Sequence, residues 1–130
     1  VVIGGGLVGA ETAEYLANKG HQVTIVEMMD KIAAGESTTV LPLMMKDFAD
    51  HNVKQLVNTK VDHIENNIVY TANDQIKADT IINALGSKKN IFDDSSITIP
   101  HVCVGDCSGE RTADIASAIR TAYHAANAID

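Results

Sequence analysis

Val1-Val2-Ile3-Gly4-Gly5-Gly6-Leu7-Val8-Gly9 opens the chain, and its reading decides the fold. A β-branched apolar run passes straight into a glycine cluster in which Gly4, Gly6 and Gly9 fall at the fixed positions of G-x-G-x-x-G. The run reads as the end of a buried parallel strand. Gly4 permits the tight turn out of it, Gly6 lets the backbone approach a pyrophosphate, and Gly9 lets the next helix pack closely on the sheet. The phosphates are expected against Gly5, Leu7 and Val8 at the helix N-terminus, where free N–H groups and the helix dipole favour an anion.

Working outward, the pattern predicts a helix over 7–19, with Val8, Thr12, Tyr15, Leu16 and Lys19 sharing one face. Gly20 supplies the left-handed residue that commonly follows a helix. A β-branched strand over 21–26 ends at Glu27, which completes a βαβ unit. Glu27 stands 18 positions after Gly9, the separation expected of a carboxylate that binds the adenosine ribose hydroxyls. It would repel a 2′-phosphate, and Met28 and Met29 follow it rather than arginine, so NAD(H) is expected over NADP(H). Met28, like the other methionines, reads as a packing residue, with the adenine pocket as its alternative role because it directly follows Glu27.

Residues 28–36 read as a loop closed by Gly35, and 37–50 as a helix with Ser37 as N-cap. Pro42 requires that helix either to begin nearer Leu41 or to kink. Short strands are predicted over 53–57, 60–65, 68–71 and 80–84, with Asn66-Asn67 as a hairpin turn. Residues 86–100 are polar and loop-like, and 101–104 read as a strand ended by Gly105-Asp106. A final helix over 112–129 carries Ile115, Ile119, Ala122, Ala126 and Ile129 as an apolar stripe expected to face a core. The predicted class is α/β: a Rossmann-like, mainly parallel sheet with flanking helices and an antiparallel β-meander from about residue 53 to 70.

Composition narrows the function classes. The formal charge is -7, from 10 Lys plus Arg against 17 Asp plus Glu, and only Lys88-Lys89 places basic residues side by side. A nucleic-acid footprint is therefore not expected. The 45% apolar content suits a globular domain, with no stretch of membrane-spanning length and no secretory n-region. Two cysteines fit a reducing compartment, so a cytoplasmic location is expected. Opening directly on Val1, the chain reads as a piece of a larger protein.

The stretch from Gly4 to Ala13, with Glu11 two residues past the third glycine, resembles the second, pyridine-nucleotide motif of flavoproteins with two dinucleotide domains. The segments 23–28 and 104–107 are most similar to the C-terminal part of NADH:flavin oxidoreductases of the 2,4-dienoyl-CoA reductase, enoate reductase and NADH oxidase type. The similarity extends over nearly the whole chain. It implies an NAD(H)-binding domain over 1–87, then a linker and the returning strand and helix of an incomplete FAD domain over 88–130. Gly86 would pass near the nicotinamide cofactor, and Gly105 with Asp106 would contact FAD in the full-length parent. The implied partner is the rest of that flavoenzyme, including its FAD half and, in larger members, an FMN barrel and an iron–sulfur segment. This chain alone would bind NADH without turnover. A stand-alone NAD-sensing or interaction module is the alternative. Ser87-Lys88-Lys89-Asn90 departs from the family in lacking a proline, and 91–100 matches no familiar segment.

Other residues are expected to be structural. Cys103 alternates with apolar neighbours and reads as a buried inert thiol rather than a redox partner of Cys107. The five histidines lack metal-ligand spacing, and no side chain reads as a catalytic acid, base or nucleophile. Glu11 is divided between stabilising the helix dipole and orienting a nicotinamide.

Overall fold

The computed structural model describes residues 1–88, 90, 93–108 and 115–129. It divides into two compact units, Val1–Gly86 and Ser87–Asp130.

In the first unit, β1 (Val2–Ile3), α1 (Leu7–Asn18), β2 (Thr24–Val26), α2 (Leu41–Asp50) and β3 (Lys54–Leu56) follow in order. An antiparallel trio comes next, β4 (Val61–Glu65), β5 (Ile68–Thr71) and β6 (Gln75–Lys77), and β7 (Ile82–Asn83) returns to the first sheet. That sheet runs β3-β2-β1-β7 and is parallel throughout. The strands at its centre carry Val2, Ile3, Ile25 and Val26, all buried, as parallel strands covered on both faces require.

α1 lies on this sheet through its small residues. Gly9, Ala10, Ala13 and Ala17 are buried, whereas Val8 and Tyr15 of the predicted face are exposed. Alanine side chains let the helix axis approach the sheet more closely than leucines would, so the buried stripe is one of size rather than hydrophobicity. α2 begins at Leu41, as Pro42 demands, with the proline in the first turn where its missing N–H costs no hydrogen bond. Ser37 caps the turn before it, its Oγ accepting the Val40 N–H at 3.2 Å. Met44 and Phe48 of α2 complete a core with Ala10, Ala13, Ile25 and Val53.

The meander is displaced from its expected span. β3 pairs in parallel with β2 (Ile25↔Gln55) and so belongs to the main sheet. The antiparallel sheet instead runs from Val61 to Lys77. Asn66 and Asn67 adopt φ of 48° and 60° and join β4 to β5 in the predicted tight hairpin.

In the second unit, no strand forms over 101–104; Val102 is exposed, and with no partner strand among the described residues an extended segment has nothing to pair with. A 3₁₀ turn, Gly105–Cys107, leads towards α3 (Ile115–Asn127). The predicted helix start at Thr112 lies outside the described residues. The apolar stripe of α3 does not meet the expected core. Ile115 is 81% exposed, Ile119 65% and Ile129 79%, and the buried residue of the helix is Ser117. No helix among the described residues is long and apolar enough to cross a membrane.

Candidate functional site

Parallel strands place their chemistry at their carboxyl ends, and three such ends meet at the opening glycines. Gly4 leaves β1 with φ of 97° and donates its N–H to the carbonyl of Val26 at 2.9 Å. A β-carbon on Gly4 would lie 2.5 Å from the Ala84 carbonyl oxygen, just past β7, and one on Gly9 would collide with the Gly4 carbonyl. These two glycines are therefore required by the fold itself.

Gly6 is different. Its φ of -64° and ψ of -176° suit any residue, and a β-carbon there would meet no described atom within 4 Å. It is the N-cap of α1, with no side-chain cap. The N–H groups of Gly6, Leu7 and Val8 have no protein acceptor among the described residues. Leu7 and Val8 are exposed beside them. The turn thus presents unpaired donors at the positive end of a helix dipole, over open space, as an anion site does.

Glu27 closes the site at the end of β2. It is 8% exposed, and both carboxylate oxygens accept backbone N–H groups, Oε2 from Gly5 at 2.6 Å and Oε1 from Met29 at 2.7 Å. A carboxylate has about four acceptor positions, so roughly half remain for a diol. Met28 and Met29 flank it, 63% and 56% exposed. On the far side of β1, the Leu85 N–H donates to Asn83 Oδ1 at 3.2 Å, and Gly86 follows, exposed, with φ of 89°. The first unit therefore brings Gly4, Gly5, Gly6, Leu7, Val8, Gly9, Glu27 and Met28 around one turn. A cleft of about 530 Å³, lined in part by Val1, His21, Thr24 and Asp79, lies at the opposite ends of the strands, away from these donors.

Gly105 and Asp106 belong to the second unit. Gly105 has φ of 66° and donates its N–H to Thr121 Oγ1 of α3 at 2.8 Å; Asp106 is exposed on the same turn. Cys103 and Cys107 are both half-buried, and Cys107 Sγ donates to the Val104 carbonyl at 3.0 Å. His101 Nε2 contacts Asp94 Oδ2 at 2.9 Å, and this exposed contact holds the imidazole above its ordinary pKa, after the larger effect of the Ile99 carbonyl. No group of three or more His, Cys, Asp or Glu among the described residues could hold a metal ion.

Sequence reasoning missed Ile32 and Ala33. Ala33 is buried with φ of 52°, and its N–H donates to the Gly5 carbonyl at 2.6 Å. Nothing in the sequence marks it, because left-handed backbone is ordinarily signalled by glycine or asparagine.

Three comparisons bear on this geometry. A family profile described as pyridine nucleotide-disulphide oxidoreductase matches residues 1–101. Bilirubin reductase of Mediterraneibacter gnavus (strain CC55_001C) is 46% identical over 99% of the chain. The chain spans 21% of that relative's length. The solved 2-naphthoyl-CoA reductase complex superposes with a TM-score of 0.71 at 27% identity, over 98% of this chain and 20% of that one. The water-forming NADH oxidase from Lactobacillus brevis, solved with NADH bound, gives 0.58 at 26% identity over 68% of this chain and 21% of that one.

Proposed function

Because the chain belongs to the pyridine nucleotide-disulphide oxidoreductase family, whose members use FAD and NAD(P)H, we propose that its first unit binds NADH for delivery to a flavin. The observation that carries this reading is Gly6. The backbone there strains nothing, the space beside it is empty, and serine or aspartate would cap the helix at least as well, so neither strain, packing nor capping demands glycine. A pyrophosphate lying against the turn does.

In this reading the N–H groups of Gly6, Leu7 and Val8 receive the pyrophosphate, with Gly5 held behind them. The free acceptor positions of Glu27 take the adenosine ribose hydroxyls, and Met28 covers the adenine. A 2′-phosphate would be forced against a buried carboxylate, which favours NADH over NADPH. Gly86 leaves room for the nicotinamide half beyond β7. Bound there, NADH would supply the hydride for reduction of a flavin. The chain's own residues bind and orient; none is assigned an acid, base or nucleophilic role.

The second unit, with Gly105 and Asp106 on its turn, is the returning edge of the flavin domain, and the remaining partner is the rest of a longer flavoenzyme. The names of two similar proteins, bilirubin reductase and 2-naphthoyl-CoA reductase, denote conjugated organic acceptors. An acceptor of that class, such as an enoate or dienoyl-CoA, suits this chain's parent better than a disulfide; oxygen is the other acceptor consistent with the NADH oxidase likeness.

Titration of the chain with NADH and NADPH, followed by nicotinamide fluorescence, tests the reading with Gly6→Ala as the variant. Expected are saturable NADH binding, weaker NADPH binding, and loss of both in a Gly6→Ala chain that still unfolds cooperatively, its melting temperature lowered by no more than a few degrees. At an N-cap, where alanine ranks well below glycine, the substitution itself costs up to about 1 kcal/mol. Wild-type affinity in the variant would remove the argument from Gly6.

A further inference from the structure

Gly5 occupies a variable position of the glycine motif, yet it is the most heavily tethered residue of the turn. Its N–H donates to Glu27 Oε2 at 2.6 Å, and its carbonyl accepts the Ala33 N–H at 2.6 Å. A β-carbon on Gly5 would lie 2.5 Å from Ile32 Cδ1 and 3.0 Å from Glu27 Cβ. Ile32 is 6% exposed and Ala33 1%, so the loop after β2 reaches back and seats on the glycine turn from behind.

The geometry has a directional consequence. The Ala33 hydrogen bond fixes the carbonyl of the Gly5–Gly6 peptide. In a trans peptide the N–H points opposite to the C=O, and no cis bond occurs here. The Gly6 N–H is thereby turned away from Ala33. Ala33 holds this bond at φ of 52°, a conformation that alanine disfavours and that persists only where its surroundings impose it.

We infer that Ile32 and Ala33 are positioning residues for dinucleotide binding: they lock the Gly5–Gly6 peptide so that the donors of the turn face the pyrophosphate before it arrives. The inference rests on the NADH reading above and deepens it. Pre-orientation removes an ordering cost from binding, and it acts only on ligands that carry the phosphates. Adenosine, held by Glu27 and Met28, does not draw on it.

The experiment compares ADP-ribose and adenosine as competitors of NADH on the 130-residue chain, in wild type, Ile32→Ala and the conservative Ile32→Val. Ile32→Ala is expected to weaken ADP-ribose by about tenfold while changing adenosine less than about twofold, and Ile32→Val to restore most of the loss. Amide exchange at Gly5 provides a second reading without ligand: protected in wild type, faster in Ile32→Ala. Equal losses for both ligands, or none, in a chain that binds NADH would overturn the inference alone. A wild-type chain that binds neither would overturn the dinucleotide reading and this inference with it.

Discussion

Glu27 joins two demands in one side chain. In the proposed reading its carboxylate takes a ribose, but it also satisfies the buried Gly5 N–H and the part-buried Met29 N–H. Glu27→Gln keeps the shape and removes the charge, yet an amide offers one acceptor oxygen where two are in use. We expect the variant to lose about 1–3 kcal/mol of stability in denaturant unfolding. NADH and NADPH should then bind with similar, weaker affinities. Unchanged stability would show that the Gly5 and Met29 contacts contribute little. The place of Glu27 at the end of the second strand was legible from its distance to Gly9. Its grip on Gly5 was not, because that depends on the three-dimensional path of the loop after β2. For the same reason Ala33 escaped notice: its left-handed backbone is imposed by Gly5 and carries no mark in its own identity.

Among the elements, the α1–α2 junction holds a charge conflict. Burial first, then the neighbouring Asp47 and Glu11, raise the Glu14 carboxyl above its ordinary range. A raised pKa means that the folded state binds this proton more tightly than the unfolded chain does. The stabilisation is therefore complete at low pH and is lost as pH rises through the raised value. Glu14→Gln should raise the melting temperature at neutral pH by a degree or two, about 0.5 kcal/mol, and the gain should vanish near pH 3.5, below the ordinary carboxylate range. A gain independent of pH would assign the effect to packing instead. Element reading succeeded where local chemistry is decisive, as with Pro42 at the start of α2 and Asn66-Asn67 in the hairpin. It failed where partners decide. Residues 101–104 have strand composition but pair with no strand among the described residues, and Gln75–Lys77 pairs despite having one apolar residue, because β5 offers it an edge. α1 deceived in another way: its alanines, not its larger apolar residues, face the sheet.

At the scale of the molecule, the strand–helix alternation made the α/β class and the carboxyl-end site readable, while the destination of β3 was not. Parallel pairing of β3 with β2 depends on the crossover through α2, which no local pattern records. The two units also divide the proposed tasks: every residue assigned to NADH lies within Val1–Gly86. A chain of residues 1–86 should therefore keep the NADH affinity of the whole within about threefold, the scatter expected when distant groups act independently. A loss of tenfold or more would mean that the second unit takes part in the site. The exposed stripe of α3 sets that unit apart, since its predicted core is not supplied by the described residues.

The pairing of β1 with β7 carries a kinetic consequence. Val2 meets Ile82 across nearly the full length of the first unit, whereas the β4–β5 hairpin closes between neighbours. Loop-closure entropy opposes the distant pairing and hardly touches the hairpin, so chain collapse should reach the hairpin early and the β1–β7 seam late. Ala84, against which Gly4 turns, sits at that seam. The glycine turn should thus acquire its final shape late in folding, the first residues of the chain waiting for its eighties.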